Sequence, residues 1–350
     1  MSSVRDYVHI VLKPVLTILI ALTVGGVIIA CSGYSPLNAY AILVKGAFGS
    51  MDGIMETLAK ATPLIFTGLA AAVGYKAGVF NIGVEGQLYM GAFAAAVTGF
   101  YVGGFPAVIA IPVCLIAAMA AAVLWALIPG ILNIRMNINI FIMFFMLNNM
   151  AVLITEYLAN GPFRGEIPAA VTSRIKPGAA LYKFSVFSNL NIGFIAAILL
   201  VVILYIVFYK TKFGYECDAL GKNPVFAKYI GIHDKKKTLL LLVISAMIAG
   251  LAGAEQSLGA MERFYAGFSN DLGFTGISIA LLANNHPVGV FIFAIFFGAL
   301  TNGGLVMSAS TDVPSDLITI LQAILIMLIS GDFVIRQFAL KKREREEAVS

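Results

Sequence analysis

Long apolar runs separated by short polar segments extend over almost the whole chain. Most of them could cross a hydrocarbon core about 30 Å thick as a helix. The pattern therefore predicts an all-α polytopic membrane bundle of about ten transmembrane helices, formed by residues 1–350 as a single transmembrane domain. The run at 272–282 is short and could instead be re-entrant. The ten runs are residues 14–30, 57–75, 88–102, 105–128, 138–158, 192–209, 238–258, 272–282, 288–307 and 317–330.

Glycines and polar residues interrupt one apolar segment in each half of the chain. These are residues 78–91, which contain Asn81, Glu85 and Gln87, and residues 273–286. Irregular backbone at membrane depth is tolerated only where protein or water covers it. Broken segments in corresponding halves are typical of transporters in which they surround a substrate path. The sequence thus predicts a broken or re-entrant segment in each half.

Five polar residues in predicted membrane segments are candidates for lining such a path, and each has a structural alternative. An intramembrane charge costs about 2.5–3.5 kcal/mol on insertion scales, so Glu85 should face protein or water. Glu85 could equally cap backbone N–H groups freed by the break at residues 83–86. The two asparagines at 148 and 149 could equally bond one helix to another. The candidates are Asn81, Glu85, Gln87, Asn148 and Asn149.

Composition and charge agree with a membrane protein. Hydrophobic residues make up 60% of the chain and charged residues 12%, with a mean hydropathy of +0.94. Basic residues concentrate near the N-terminus, in residues 210–237 and in the tail 334–350. The positive-inside rule places all three, and therefore both termini, in the cytosol. The net charge of +5 reflects these flanks and predicts no nucleic-acid partner.

No catalytic or metal-binding pattern is visible in the sequence. Cys31, Cys114 and Cys217 lack the spacing of metal ligands, and the three histidines lie far apart. The phosphate-binding pattern GxxxxGK[ST] is absent as well. The sequence therefore predicts a chain that is no enzyme, holds no metal or cofactor and hydrolyses no ATP.

The polar interruption at residues 210–237 carries ten charged residues and lies between two long apolar runs. It contains a short helix-like core, residues 224–230, followed by Gly231. A glycine at that position is a common helix stop. We expect this loop to contact a partner in the cytosol.

Several motifs resemble one transporter family. The run VFNIGVEGQLYMG at residues 79–91 resembles the signature of permease subunits of bacterial ATP-binding-cassette (ABC) importers, the group handling simple sugars, nucleosides and branched-chain amino acids. Its FNIGVEGQ core is similar to the nucleoside, guanosine-type branch. The resemblance spans roughly residues 57–331. Further similar stretches are GKNPVFAKYIGI (221–232), SAMIAGLAGAE (245–255), GFTGISIALLANNHPVG (273–289) and PSDLITILQ (314–322).

The resemblance implies an importer that moves nucleosides across the bacterial cytoplasmic membrane by alternating access. It implies a cytosolic ABC ATPase that binds the ATP, a second homologous permease, an extracellular substrate-binding lipoprotein and a small-molecule substrate. The family's coupling helix, which docks in the ATPase, maps to the cytosolic loop 211–237. The matching positions are Gly221, Asn223, Ala227 and Gly231.

Other functions stay open at this point. Within the family, ribose-like sugars or branched-chain amino acids are alternative substrates. An ion-coupled secondary transporter with Glu85 or Glu255 as its proton site is an alternative of another class, and it would need no cytosolic docking segment. A membrane enzyme or scaffold is a third class, and the missing catalytic set argues against the enzyme.

Overall fold

The computed structural model describes residues 19–76, 78, 80–136, 138–232, 234–311, 313–314, 317–324 and 326–328. These residues are mainly α-helical, and they contain isolated β-bridges but no strand. The predicted all-α class is therefore confirmed. The basic tail at 334–350, predicted to be cytosolic, lies outside the described residues.

The helices follow one another with short connections, apart from one long irregular loop at residues 161–192. In chain order they are α1 (Leu19–Cys31), α2 (Pro36–Phe48), α3 (Met51–Lys76), α4 (Val84–Val102), α5 (Ala107–Met136), α6 (Ile140–Asn160), α7 (Gly193–Lys210), α8 (Lys212–Lys222), α9 (Pro224–Tyr229), α10 (Asp234–Glu255), α11 (Leu272–Leu282), α12 (Pro287–Ser310) and α13 (Leu317–Leu328). A 3-10 turn at Pro177–Ala179 lies in the long loop, and a π-helical turn at Gln256–Ala260 extends α10.

Six helices in the described residues are long and apolar enough to cross a membrane, namely α3, α5, α6, α7, α10 with its π-helical extension, and α12. The pair α1 and α2, bent by 119°, makes a seventh if it counts as one span. A polytopic bundle is therefore confirmed, but the predicted count of ten is not. The difference arises at α4, whose first turn holds Glu85 and Gln87, and at the short helices α11 and α13.

The chain divides into two compact units. One consists of Met1–Thr57 with Ala299–Ser350, and the other of Leu58–Gly298. In the first unit the Tyr40 hydroxyl donates to the Leu22 carbonyl over 2.6 Å. The buried Asn302 amide donates to the Gly53 carbonyl (2.9 Å) and the Thr57 hydroxyl (3.1 Å). Polar bonds thus join the two ends of the sequence within this unit.

Helix α4 forms the centre of the second unit and packs against α5, α6, α10 and α11. Its contact with α10 brings backbone against backbone, because a Cβ on Gly91 would lie 2.6 Å from the Cα of Gly250. Small residues at such crossings allow the close helix approach that is common in membranes. The central position of α4 places its polar first turn inside the protein.

The first predicted broken segment, residues 78–91, is irregular over only part of its length. Gly78 has a positive φ of 71°, and the chain becomes helical again at Val84. The break predicted at residues 83–86 does not extend to Gly86, because α4 begins at Val84. Gly86 lies in the first turn of α4, where the helix approaches Asn148 of α6 closely.

The second predicted broken segment contains a short buried helix, α11. At 11 residues it extends only about 16 Å, roughly half of a hydrocarbon core. Left-handed residues flank it on both sides: Asn270 and Asp271 before it, with φ of 48° and 64°, and Asn284 and Asn285 after it, with φ of 50° and 58°. Asparagine and aspartate tolerate this conformation better than other residues with a side chain, so the sequence sets both ends of the helix.

Candidate functional site

A buried polar cluster fills the break between α3 and α4. The Asn81 amide nitrogen donates to Gln87 Oε1 (3.0 Å) and to the Ser245 hydroxyl (2.8 Å). Its Oδ1 accepts from the Gly83 N–H (3.0 Å) and from Gln87 Nε2 (3.1 Å). The Ser245 hydroxyl in turn donates to the Ala70 carbonyl over 2.6 Å. These bonds tie α3, α4 and α10 together at the point where the backbone is irregular.

Asn148 of α6 completes this cluster, whereas Asn149 does not belong to it. The Asn148 side chain accepts from the Gly86 N–H and donates to the Ile82 carbonyl, each over 2.9 Å. It thereby satisfies an N–H in the first turn of α4 that has no intrahelical partner. Asn149 is exposed, and its amide donates to the Phe145 carbonyl of its own helix.

Glu85 joins the two broken segments to each other. Its carboxylate accepts from the Gly273 N–H over 2.6 Å, in the first turn of α11. A Cβ on Gly273 would lie 2.6 Å from the Glu85 backbone nitrogen. The carboxylate therefore caps the N-terminus of α11, a position that favours negative charge. The alternative prediction, that Glu85 caps backbone N–H groups within the break at residues 83–86, therefore named the correct kind of role but the wrong helix end.

The space beside the polar cluster is small. A cavity of about 10 Å³ is lined by Asn81, Asn285, Tyr75 and neighbouring apolar side chains. The buried Oδ1 of Asn285 has no hydrogen-bond partner among the described residues. A volume of this size holds about one water molecule, so this cavity cannot take a sugar or a nucleoside.

Glu255 is buried, although it could have been expected near the membrane surface. Its carboxylate accepts from the Asn191 amide and from the Gln256 amide, each over 2.7 Å. The first of these bonds fixes the start of α7 against the end of α10, where the π-helical turn begins. Within the described residues, His, Cys, Asp and Glu side chains form no group of three that could hold a metal ion.

The predicted coupling positions hold the short helix α9 in place. Asn223 Oδ1 caps it by accepting from the Phe226 N–H over 3.0 Å. Gly231 stops it in a left-handed conformation with φ of 84°, as the N–H groups of Gly231 and Ile232 bond to the carbonyls of Lys228 and Ala227. This is the hydrogen-bond pattern of a Schellman motif. The sequence thus encodes both ends of α9.

Two faces of α9 differ sharply in exposure. Ala227 is completely buried, whereas Tyr229 is 86% exposed and Phe226 is 51% exposed. Val225 and Ile230 are exposed too. An aromatic and aliphatic face of this kind on a polar loop is typical of a protein-interaction surface. We call these four residues, Val225, Phe226, Tyr229 and Ile230, the α9 face.

The predicted coupling loop, residues 211–237, contacts the residues that begin the break after α3. A Cβ on Gly221 would lie 2.8 Å from the Lys76 carbonyl oxygen and 3.5 Å from the Gly78 nitrogen. Lys76 Nζ lies 3.5 Å from Asp218 of α8 and 4.8 Å from the centre of the Tyr209 ring. The hydrogen bond from Lys222 and the charge of Lys76 lower the pKa of Asp218. Helix α8 therefore connects α9 to the break.

A second charged cluster lies in the loops at the opposite end of α4. Arg174 and Lys183 from the long loop form ion pairs with Glu262, which follows α10. Backbone hydrogen bonds between Ile175 and Glu262 and between Thr172 and Phe264 hold the same two segments together. Burial raises the pKa of Glu262, but the bonds from Arg174 and Lys183 outweigh it and lower that pKa overall.

Sequence reasoning did not single out four residues that organise these contacts: Ser245, Gly273, Lys76 and Asp218. Their partners are far away in the sequence, as in the pair Glu85–Gly273. For two of them, the sequence did offer a signal, namely a small or polar residue inside a motif that resembles the family. Ser245 and Gly273 each begin one of those motifs.

Comparison with known proteins connects the whole arrangement to one family. Residues 53–330 match the family described as the permease component of a branched-chain amino acid transport system. No solved structure matches the chain.

Three curated relatives are similar over nearly their whole length. A guanosine ABC transporter permease of Bacillus subtilis is 36% identical, with 96% of this chain and 97% of the relative covered. A glucose ABC transporter permease of Haloferax volcanii is 35% identical, with 91% of this chain and 87% of the relative covered. A nucleoside ABC transporter permease of Lactococcus lactis is 32% identical, with 93% of this chain and 92% of the relative covered. The chain therefore belongs to the branched-chain amino acid transport system permease family and is a multi-pass permease subunit of an ABC transporter.

Proposed function

We propose that this permease imports nucleosides across the bacterial cytoplasmic membrane, with guanosine-type nucleosides as the first substrates to test. The observation that carries the proposal is the full-length similarity to permeases named for guanosine and for nucleosides. The chain contributes the membrane path, and an ATPase on another chain binds and hydrolyses the ATP. This chain itself carries no cofactor.

The coupling role of residues 211–237 rests on the contrast between the two sides of α9. Its caps and the buried Ala227 fix the helix to the permease, and the α9 face is left for a partner. An exposed apolar helix face fits the helix-in-groove mode of recognition. We assign the groove to the cytosolic ABC ATPase. The loop and both termini then lie in the cytosol.

The polar cluster around Asn81 is proposed as the pivot of alternating access. Asn81, Gln87 and Asn148 are already bonded to backbone and to one another, and the cavity beside them is too small for substrate. A path at this point must therefore open by rearranging these bonds, or must form against a second homologous permease. Glu85 takes part by transmitting movement between α4 and α11 through its bond to Gly273.

The path also requires a supply of substrate from outside. An extracellular binding lipoprotein would deliver the nucleoside to the loops at 161–192 and 261–271. Specificity would then reside largely in that protein, which fits the lack of a substrate-sized site beside Asn81.

The similarity to a glucose permease supports a second candidate, a simple sugar. Uptake by cells that lack and then regain this chain separates the candidates. We expect complementation to restore uptake of radiolabelled guanosine, with unlabelled nucleosides competing and ribose, glucose and leucine not competing. Restored glucose uptake without guanosine uptake would replace the nucleoside proposal by the sugar proposal. A chain with the α9 face changed to alanine serves as the matched negative control.

A further inference from the structure

A cavity of about 570 Å³ lies between α8 and the first turns of α10. Three lysines line it, Lys212 on α8 and Lys236 and Lys237 on α10. Tyr215, Glu216, Ile230, Gly231, Ile232 and Leu240 complete its wall. This cavity is separate from the polar cluster at Asn81, and we call it the lysine cavity.

The charges of the lysine cavity are only partly compensated. Lys237 forms an ion pair with Glu216. Lys212 and Lys236 are exposed, and the described residues provide neither with an ion-pair or hydrogen-bond partner. The wall of the cavity therefore carries two positive charges that have no ion-pair partner among the described residues. Like charges held close together are unfavourable unless an anion lies between them.

The position of the cavity relative to the membrane is fixed by the two spans that flank it. Lys212 follows the last residue of the span Gly193–Lys210 by two positions, and Lys236 and Lys237 lie in the first turn of the span Asp234–Ala260. The ends of transmembrane helices lie at the level of the lipid headgroups. From the ends of these two candidate spans we infer that the lysines lie at the level of the lipid phosphates.

Apolar wall residues lie beside these charges. Leu240, one turn further along α10 than Lys236, is 46% exposed, and Ile230 is exposed as well. Tyr215 adds an exposed aromatic ring, of the type enriched at membrane interfaces. A ligand that satisfies the whole cavity has an anionic head and an apolar tail.

We propose that the lysine cavity binds the phosphate headgroup of an anionic phospholipid. Lys212 and Lys236 contact the phosphate, and Leu240 contacts the beginning of an acyl chain. Basic pockets between membrane helices are a known mode of recognising such headgroups. Because Ile230 belongs to both the cavity wall and the α9 face, the bound lipid lies next to the helix proposed to dock the ATPase.

The test measures lipid binding to the full-length chain purified in mild detergent. Titration with phosphatidylglycerol or with phosphatidylcholine is followed by native mass spectrometry. Wild-type protein should bind phosphatidylglycerol more tightly than phosphatidylcholine. The double variant K212Q/K236Q should bind phosphatidylglycerol about thirtyfold more weakly, the effect expected from two lysines at an anionic surface.

The matched control is K228Q/K235Q, which removes two exposed lysines of the same loop that do not line the cavity. It should leave the preference for phosphatidylglycerol unchanged. Equal phosphatidylglycerol affinity for wild type and K212Q/K236Q would overturn the proposal. Displacement of the lipid by millimolar inorganic phosphate would identify a free-phosphate site and overturn the lipid assignment. Equal binding of both lipids by wild-type protein would overturn it too.

Discussion

At the scale of single residues, Glu85 links two segments that are 188 positions apart in the sequence. Its carboxylate bonds to the backbone of Gly273, and a side chain at position 273 would displace it. A buried carboxylate without a cation is expensive in a membrane protein. The hydrogen bond from Gly273, in the first turn of α11, offsets part of that cost and gives the residue a structural role, while its role in transport stays a proposal.

Glu85→Ala should lower the thermal unfolding temperature of the purified chain, whereas Glu85→Gln should retain most of the stability. Alanine leaves the Gly273 N–H without its acceptor at a cost of about 1–3 kcal/mol, and the glutamine carbonyl can still accept. Asn149→Ala, at an exposed position, is the control and should unfold like wild type. Unchanged stability of Glu85→Ala would remove the capping role. Reduced uptake by a fully stable Glu85→Gln would support its role in the path.

Glu262 should make a pH-dependent contribution to stability. Its pKa is lowered in the folded chain, so its ion pairs stabilise the fold above the unfolded carboxyl pKa of about 4.3. That stabilisation is lost as the pH falls through the lower folded pKa. Because Arg174 is largely exposed, we expect at most about 1 kcal/mol.

The measurement compares unfolding temperatures of wild type and Glu262→Gln across a pH series. Wild type should be more stable near pH 7, and the difference should shrink as the solution becomes more acidic than the unfolded carboxyl pKa. A difference that stays constant down to the lowest pH would mean that the charge of Glu262 does not contribute.

At the scale of elements, the predicted coupling loop and the break after α3 form one connected structure. Gly221 of α8 packs on the backbone at Lys76 and Gly78, and Asp218 binds the Lys76 side chain. Lys76 also contacts Tyr209, whose ring lies 4.9 Å from that of His286 in the turn after α11. Helix α8, which precedes α9, is therefore connected by side-chain and backbone contacts to both broken segments.

Asp218→Asn should reduce ATP-dependent uptake about two- to fivefold, because a partly exposed ion pair contributes up to about 1 kcal/mol. The ATPase should still copurify, since the α9 face is unchanged. Lys222→Gln is the control: it removes the other partner of Asp218 but keeps the Lys76 pair, and it should transport more than Asp218→Asn. Loss of ATPase copurification in Asp218→Asn would contradict the proposed division between docking and transmission.

The sequence predicted the local features of these elements better than their partners. Gly231 stops α9 by short-range chemistry, so a single stretch of sequence was enough to predict it, whereas Asn223 was named through the family resemblance and its capping role emerged from the structure. The bond of Glu85 to Gly273 and the contact of Ser245 with Asn81 depend on how distant helices pack. The predicted count of ten spans is not confirmed, and α11 illustrates why: it is apolar and buried, yet with 11 residues it is too short to cross a bilayer alone.

At the scale of the whole molecule, the chain is an ABC transporter permease made of two compact units. That residues 1–350 act as a single transmembrane permease domain stays a prediction. The polar residues that are most conspicuous in the sequence are bonded internally at the centre of the second unit. The α9 face, by contrast, is an exposed apolar surface on a polar loop. We propose that this face receives the energy for import from an ATPase.

ATP-dependent guanosine uptake into proteoliposomes containing the complete transport complex tests that claim most directly. In the variant Phe226→Ala/Tyr229→Ala, guanosine uptake should fall at least about tenfold, because aromatic anchors dominate interface energies. The ATPase should also no longer copurify with this variant. Tyr101→Ala, a similarly exposed aromatic at the opposite end of α4, should transport normally. Wild-type uptake by the Phe226→Ala/Tyr229→Ala complex, or uptake driven by a proton gradient without any ATPase, would contradict the account.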